Sequence, residues 1–222
     1  MNSADGLKEL MEESGISLDS EMTSQLLIYL SLLEKWNSRI NLTSTTEWPR
    51  LKLLFQEGIW ASKLYHSEKA VHLDIGIGAG FPAVLLRILK PNIQLDMVES
   101  RAKKCVFLET LIDSLRMSRT SVHCMRLRTY LLNSSHIWDC ITWKALKLNN
   151  EDLSELRSHS HQFTEFWMFH GKQLAVEAPD TFEKDFKLVR SEGFDNRQSW
   201  FLSIYLPRRA FHVKQFPANS AS

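Results

Sequence analysis

Nowhere in this sequence is there a run of about 18 apolar side chains, the length a helix needs to cross a hydrocarbon layer. Met1 to Met11 carry acids and no continuous apolar stretch, so neither an export signal nor a membrane anchor is expected, and the chain reads as cytoplasmic. Cysteine is scarce as well. Cys105, Cys124 and Cys140 are odd in number, lack C-x-x-C spacing and sit within apolar stretches. That excludes a disulfide framework and predicts buried free thiols in a reducing compartment. With eight glycines and six prolines in 222 residues, fibrous and low-complexity architectures are excluded too. What is present, 44% hydrophobic and 24% charged residues, suffices for one globular core.

A large excess of one charge is also missing, since the formal net charge is +1. Wholesale electrostatic capture of a polyanion is therefore not expected, but the distribution is uneven. Residues 1–25 hold one base, Lys8, against Asp5, Glu9, Glu12, Glu13, Asp19 and Glu21. Residues 101–128 invert this, with Arg101, Lys103, Lys104, Arg116, Arg119, Arg126 and Arg128 against Glu109 and Asp113. From Phe201 onward, Arg208, Arg209 and Lys214 meet no acid. Such runs fit either contact with a polyanion or a solvated face.

Apolar spacing divides the chain. Met22, Leu26, Tyr29, Leu33, Trp36 and Ile40 recur every three or four residues, which places one stripe along a helix with Asp19 or Ser20 as its N-cap. The polar run Asn41 to Thr46 should end that helix, and a further helix is expected from about Arg50 to Tyr65. From residue 70 the rhythm becomes strand and helix in alternation. Strands are expected at Val71–Ile75, Ile93–Glu99, Ser121–Met125, Trp138–Trp143, Phe163–His170 and Trp200–Leu206, with helices at Phe81–Leu89, Ala102–Arg116 and Asp180–Ser191. Strands joined by helical crossovers imply an α/β fold, a mostly parallel sheet with helices on both faces. Residues 1–66 read as a helical extension packed on a Rossmann-like domain of residues 67–222.

Between the first strand and its helix lies Asp74-Ile75-Gly76-Ile77-Gly78-Ala79-Gly80, where an open parallel sheet meets a nucleotide-type ligand. Gly76 and Gly78 can adopt angles barred to other residues and leave no Cβ between main chain and ligand, while Gly80 permits close helix packing. The alternative is a tight turn of purely structural use. Dinucleotide sites have G-x-G-x-x-G and aim amides at a pyrophosphate. Here the spacing is G-x-G-x-G with Asp74 just before it, a carboxylate poorly suited to a phosphate. It suits a ligand that carries an ammonium group, such as S-adenosyl-L-methionine. Glu99-Ser100 ends the second strand about 20 residues on, where a carboxylate accepts from ribose hydroxyls or else caps the following helix. Arg126-Leu127-Arg128 and Trp143-Lys144-Ala145, read as loops at the carboxyl ends of strands three and four, are further candidates.

These residues resemble the RsmG, or glucose-inhibited division protein B (GidB), family. Leu33-Glu34-Lys35-Trp36-Asn37 and Ile40-Asn41-Leu42-Thr43-Ser44 are similar to its helix ending in W-N followed by N-L-T-S. His72 to Pro82 is similar to F-I-D-V-G-T-G-P-G-L-P, and Arg101 to Leu108 to G-K-R-V-R-F-L, so the likeness runs from about residue 33 to 173. It implies a Rossmann-like methyltransferase using S-adenosyl-L-methionine on guanine N7 of small-subunit (16S) ribosomal RNA. It further implies that Gly76 and Phe81 line the methionine end of the cofactor, that Leu127 and Arg128 lie by the adenine, and that Lys144 follows strand four. The cofactor-binding set is then Asp74, Gly76, Gly78, Gly80, Phe81, Glu99, Ser100, Leu127, Arg128 and Lys144, with no catalytic residue and no metal. Partners would be ribosomal RNA or the 30S subunit, with no membrane and the chain a monomer.

Departures from the pattern are local. The family's S-R-A reads Trp143-Lys144-Ala145, its R-(A/V)-E reads Arg126-Leu127-Arg128, and its L-K-G reads Phe169-His170-Gly171. R-H-x-x-D-S has no match around Leu54-Phe55-Gln56-Glu57-Gly58. They leave two alternatives to an rRNA methyltransferase, a relative that only binds cofactor or RNA, and a small-molecule methyltransferase. His159 and His161 lack zinc-ligand spacing, His170 fits either a pocket or a turn, and Trp143 fits either base stacking or a core position.

Overall fold

The computed structural model describes residues 2–171, 182–194 and 200–208. Two compact units follow from the packing, one from the described residues of Met1–Ala70 and Gly76–Met125, the other from Val71–Ile75 and those of Arg126–Ser222.

The first unit opens with three helices whose ends are written in the sequence. Helix α1 (Ser3–Ser14) starts where Asn2 accepts from the Asp5 amide and stops at Gly15, which takes the left-handed conformation. Asp19 caps α2 (Ser20–Ile40) by accepting from the Met22 amide at 2.7 Å. Helix α3 (Trp48–Leu64) carries Pro49 in its first turn, where amides lack intrahelical acceptors anyway. Leu26, Tyr29, Leu30 and Leu33 of α2 are buried, and Met22, Trp36 and Ile40 pack at the margin of the same core. Helix α2 packs on α4 (Ala83–Leu89) and α5 (Ala102–Leu115), and α3 on α4. Strand β2 (Gln94–Glu99) pairs in parallel with β3 (Thr120–Cys124), from Leu95 opposite Thr120 to Glu99 opposite Cys124.

In the second unit, β1 (Val71–Ile75) pairs in parallel with β4 (Trp138–Lys144), and β4 in parallel with β5 (Ser160–Gly171). Beyond β5 the chain turns back. Strand β7 (Trp200–Pro207) is antiparallel to β5, and β6 (Phe186–Gly193) is antiparallel to β7. Helices α6 (Leu127–Asn133) and α7 (Asn150–Ser158) pack on each other, and α7 also reaches β5. Pairing among the described strands is thus mostly parallel, as strands separated by helices require. No described helix is long and apolar enough to cross a membrane.

Several expectations change. Of the helix expected over Asp180–Ser191, its first two residues lie outside the described ones, only α8 (Phe182–Asp185) is helical, and the rest is β6. The run Lys187-Leu188-Val189-Arg190 is taken into the sheet because β7 pairs with it on both sides of an irregularity at Val189, which outweighs weak local preference. Arg126-Leu127-Arg128 is the start of α6 rather than a loop, and β4 extends through Lys144. Helix α1 falls within the helical segment expected over residues 1–66, whereas α6 and α7 were not expected, being short or polar enough to hide their period. Cys105 and Cys140 are buried, but Cys124 is exposed because it ends β3. Arg209 and Lys214 lie outside the described residues.

If the Asp19 carboxylate stabilises α2 as a hydrogen-bond acceptor, Asp19→Ala should lower stability by about 1 kcal/mol in urea unfolding, and Asp19→Asn by only a few tenths. Equal losses would mean that charge matters and not the bond.

Candidate cofactor site

The glycine loop begins where β1 ends. Gly76, Gly78 and Gly80 take φ of 68°, 60° and 100°, angles that favour glycine. The Gly76 amide donates to the Val98 carbonyl of β2 at 2.8 Å, and the Gly80 amide to the Ile77 carbonyl at 3.0 Å. A Cβ built on Gly80 would lie 2.6 Å from Tyr29 Oη and 3.0 Å from Val84, so Gly80 lets the loop lie against α2 and the helix that follows. At Gly78 the nearest atoms to such a Cβ are Lys104 Nζ at 3.4 Å and the Gly76 carbonyl at 3.8 Å. Gly78 is itself buried, and a Cβ there would meet only these two atoms, at ordinary contact distance.

Two sets of side chains hold this loop in the first unit. Tyr29 donates from its hydroxyl to the Ala79 carbonyl at 2.8 Å and stacks on Phe81 at 5.1 Å. Phe55 meets Phe81 edge-on at 5.2 Å, so the Phe81 ring is a buried core element. From the other direction, Glu99 accepts from the Gly78 amide at 3.1 Å through one oxygen and from the Arg101 amide at 2.9 Å through the other. The carboxylate thus both ties down the loop and satisfies an amide at the start of α5, where Arg101 offers no side-chain cap. Ser100, next along, is exposed. Cys105 donates its thiol proton to the Glu99 carbonyl at 3.3 Å. Burial, then the Cys124 thiol and the charges of Glu99 and Glu109, push the Cys105 thiol up to about 12, which rules it out as a nucleophile near neutral pH.

The second unit carries the other candidates. Asp74 is buried on β1 and accepts from the Thr142 hydroxyl of β4. Leu127 opens α6, and Arg128 is exposed and pairs with Glu151 of α7. Lys144 lies half-buried at the end of β4, its ammonium 5.3 Å from the centre of the Trp200 ring. Trp143 is buried edge-on to Phe166, a core position and not a stacking surface. His170 is likewise buried, 2.9 Å from the Ser203 hydroxyl. His161 Nε2 lies 3.0 Å from Asp139, and no group of three metal-ligating side chains occurs among the described residues.

Sequence reasoning missed Lys104 and Tyr29 as neighbours of the loop. Lys104 sits five residues after Glu99 in the first turn of α5, a spacing that returns a side chain toward the strand end. Tyr29 was visible only as one member of the apolar stripe of α2, its hydroxyl giving no signal of its own.

The residues present fit S-adenosyl-L-methionine. A glycine face that a side chain would fill, a buried carboxylate at the end of β2 and an ammonium beside them match a ligand with hydroxyls and a zwitterionic end.

Solved structures with the same fold include an O-methyltransferase, described as putative, from Klebsiella pneumoniae, at TM-score 0.61 and 13% identity over 92% of this chain and 97% of that one. Another is a mutant of MtNAS in complex with S-adenosylmethionine, at TM-score 0.57 and 14% identity over 84% of this chain and 72% of that one. The fold is accordingly that of the Rossmann-like methyltransferases. Residues 22–192 match the model of one family within that class, GidB, described as rRNA small subunit methyltransferase G, and the chain belongs to this family. Among curated relatives, the ribosomal RNA small subunit methyltransferase G of Bacillus velezensis is 38% identical over 122 residues, 54% of this chain and 51% of the relative. That of Bacillus licheniformis is 34% identical over 140 residues, 61% of this chain and 59% of the relative. The chain spans about half the length of the curated relatives it matches.

The two loop glycines should fail differently. Gly80→Ala combines a positive φ with a contact no real Cβ tolerates, and a loss of about 3 kcal/mol is expected in urea unfolding. Gly78→Ala, strained but uncrowded, should cost about 1–2 kcal/mol. Gly78→Val should remain folded and lose cofactor binding in calorimetry, and unchanged affinity would contradict the cradle.

Proposed function

We propose that this chain is an S-adenosyl-L-methionine-dependent methyltransferase acting on small-subunit ribosomal RNA, with a guanine N7 as acceptor. The observation that carries the reading is the glycine turn at Gly78, at positive φ, with its amide held by Glu99 and the Lys104 ammonium 3.4 Å from where a Cβ would stand. In this reading Gly76 and Gly78 let main chain lie against the ligand, with Gly80 and Phe81 seating the loop. Glu99 and Ser100 receive the ribose hydroxyls, and Lys104 meets the carboxylate of the methionine end. Asp74 accepts from its ammonium group. Leu127, Arg128 and Lys144 join the set by their match to the family's pattern. Residues 1–66 act as the helical extension of a methyltransferase domain of residues 67–222, working in the cytoplasm on the 30S subunit as a monomer.

When bound, the cofactor supplies a methyl group on a sulfonium. Guanine N7 has an in-plane lone pair and no proton, so the chain's residues need not move one. Their task is to hold the acceptor in line and to exclude water, an effect worth up to about 7–11 kcal/mol in ideal cases. A reading without an acid, a base or a nucleophile agrees with a thiol at Cys105 that stays protonated. The basic side chains of residues 101–128 then face RNA. Arg116 and Arg119 are exposed at the end of α5 and in the turn before β3. A second reading, a binding module without transfer, is favoured by the engagement of Arg128 with Glu151 and of Lys144 with Trp200, at the positions that depart from the family's pattern.

The test is transfer of tritiated methyl from S-adenosyl-L-methionine to 30S subunits from a bacterium lacking this activity. Label in the 16S rRNA is expected, released by treatment that cleaves at 7-methylguanine. Cofactor binding without label would leave the binding module, and label in small acceptors alone would overturn the rRNA assignment. Arg116→Glu and Arg119→Glu should weaken RNA binding more at low salt than at high salt, because exposed charges are screened within about 8–10 Å at physiological ionic strength. Identical losses at both would point to a structural cause.

A further inference from the structure

The two-residue period of a strand puts His72 and Asp74 on one face of β1, and the parallel register sets Thr142 of β4 opposite Asp74. All three side chains are buried, at 0%, 2% and 1% exposure. Thr142 Oγ1 donates to Asp74 Oδ2, and His72 Nε2 lies 2.9 Å from that same Thr142 oxygen. A hydroxyl carries one proton, and here it goes to the carboxylate. The second bond must therefore be donated by His72, from Nε2–H into a lone pair of Thr142. Three buried groups form a chain with one direction, from imidazole through hydroxyl to carboxylate. Its starting residue stands where the family pattern F-I-D-V-G has a Phe, which has no proton to donate.

We propose that Thr142 and His72 are positioning residues for Asp74, fixing the orientation in which its carboxylate receives the ammonium group at the methionine end of the cofactor. The proposal rests on the cofactor reading above. Thr142 acts directly, by binding one carboxylate oxygen. His72 acts through Thr142, because a hydroxyl that accepts a bond from one side can rotate its proton only toward the other. Neither residue touches the cofactor. A carboxylate accepts several hydrogen bonds, so a bond from the Thr142 hydroxyl and one from an ammonium donor are compatible on one group.

The experiment compares two ligands by calorimetry: S-adenosyl-L-methionine, and 5′-methylthioadenosine, which shares the nucleoside but has no amino-acid end. Thr142→Val keeps the side chain's shape and removes its proton; it should weaken S-adenosyl-L-methionine about tenfold and leave methylthioadenosine within about twofold. Thr142→Ser, which retains the hydroxyl, should restore most of the affinity. His72→Phe should weaken S-adenosyl-L-methionine about threefold, again without effect on methylthioadenosine. A purely structural role moves both ligands together, so equal losses would overturn the proposal, as would full affinity in Thr142→Val and His72→Phe. Should Thr142→Val fail to fold, His72→Phe and Thr142→Ser decide by the same comparison. Native protein that binds neither ligand would overturn the cofactor reading and this assignment with it, whereas native binding with equal losses in the variants overturns the assignment alone.

Discussion

One buried carboxylate holds the glycine loop in its working shape. Glu99 accepts from the Gly78 amide with one oxygen and from the Arg101 amide with the other, so the loop after β1 and the first turn of α5 share a single anchor. Hydrogen bonds to a charged acceptor contribute about 1.5–3 kcal/mol each, enough to keep a loop with three positive φ values from relaxing. The same anchor draws the Gly78 amide toward Glu99, and on the Cα side the nearest side-chain atom to a built Cβ is Lys104 Nζ at 3.4 Å.

The helical N-terminal segment takes part in this arrangement. Tyr29 of α2 binds the Ala79 carbonyl and stacks on Phe81, and Phe55 of α3 closes the aromatic cluster. A loop gripped by α2 and by Glu99 has little freedom. That explains the crowding at Gly80, where a methyl group would displace the Tyr29 hydroxyl, and the room at Gly78 two residues before it. In the proposed reading the first two glycines serve approach to the ligand, and the contacts at Gly80 show that the last serves packing.

Much of this was legible in the residues. The stripe from Met22 to Ile40 and the Asp19 cap predict α2 to within a residue, since periodicity and capping act locally. The strand, glycine and helix order around Asp74 predicts the turn and the parallel pairing. Helix α7 was hidden because only Leu153 and Leu156 face inward, too few to show a period, and β6 because its edge partner lies elsewhere in the chain. Glu99 was legible as either ribose acceptor or helix cap; its bond to the Arg101 amide at the start of α5 fits the cap, and its bond to the Gly78 amide is one that neither reading held. The bonds from Tyr29 to Ala79 and from Thr142 to Asp74 cross 50 and 68 residues, distances over which one sequence carries no pairing signal.

The chemistry inferred for the site asks little of acids or bases and much of placement, so the rigidity of the loop is what function depends on. That dependence is measured most directly by titrating the native chain and Glu99→Gln with S-adenosyl-L-methionine in a calorimeter. With one carboxylate oxygen replaced by an amide donor, residue 99 can accept from only one of the Gly78 and Arg101 amides and carries no charge, and the variant should bind at least about tenfold more weakly than the native chain. Equal affinity in the two proteins would contradict a pocket organised by Glu99.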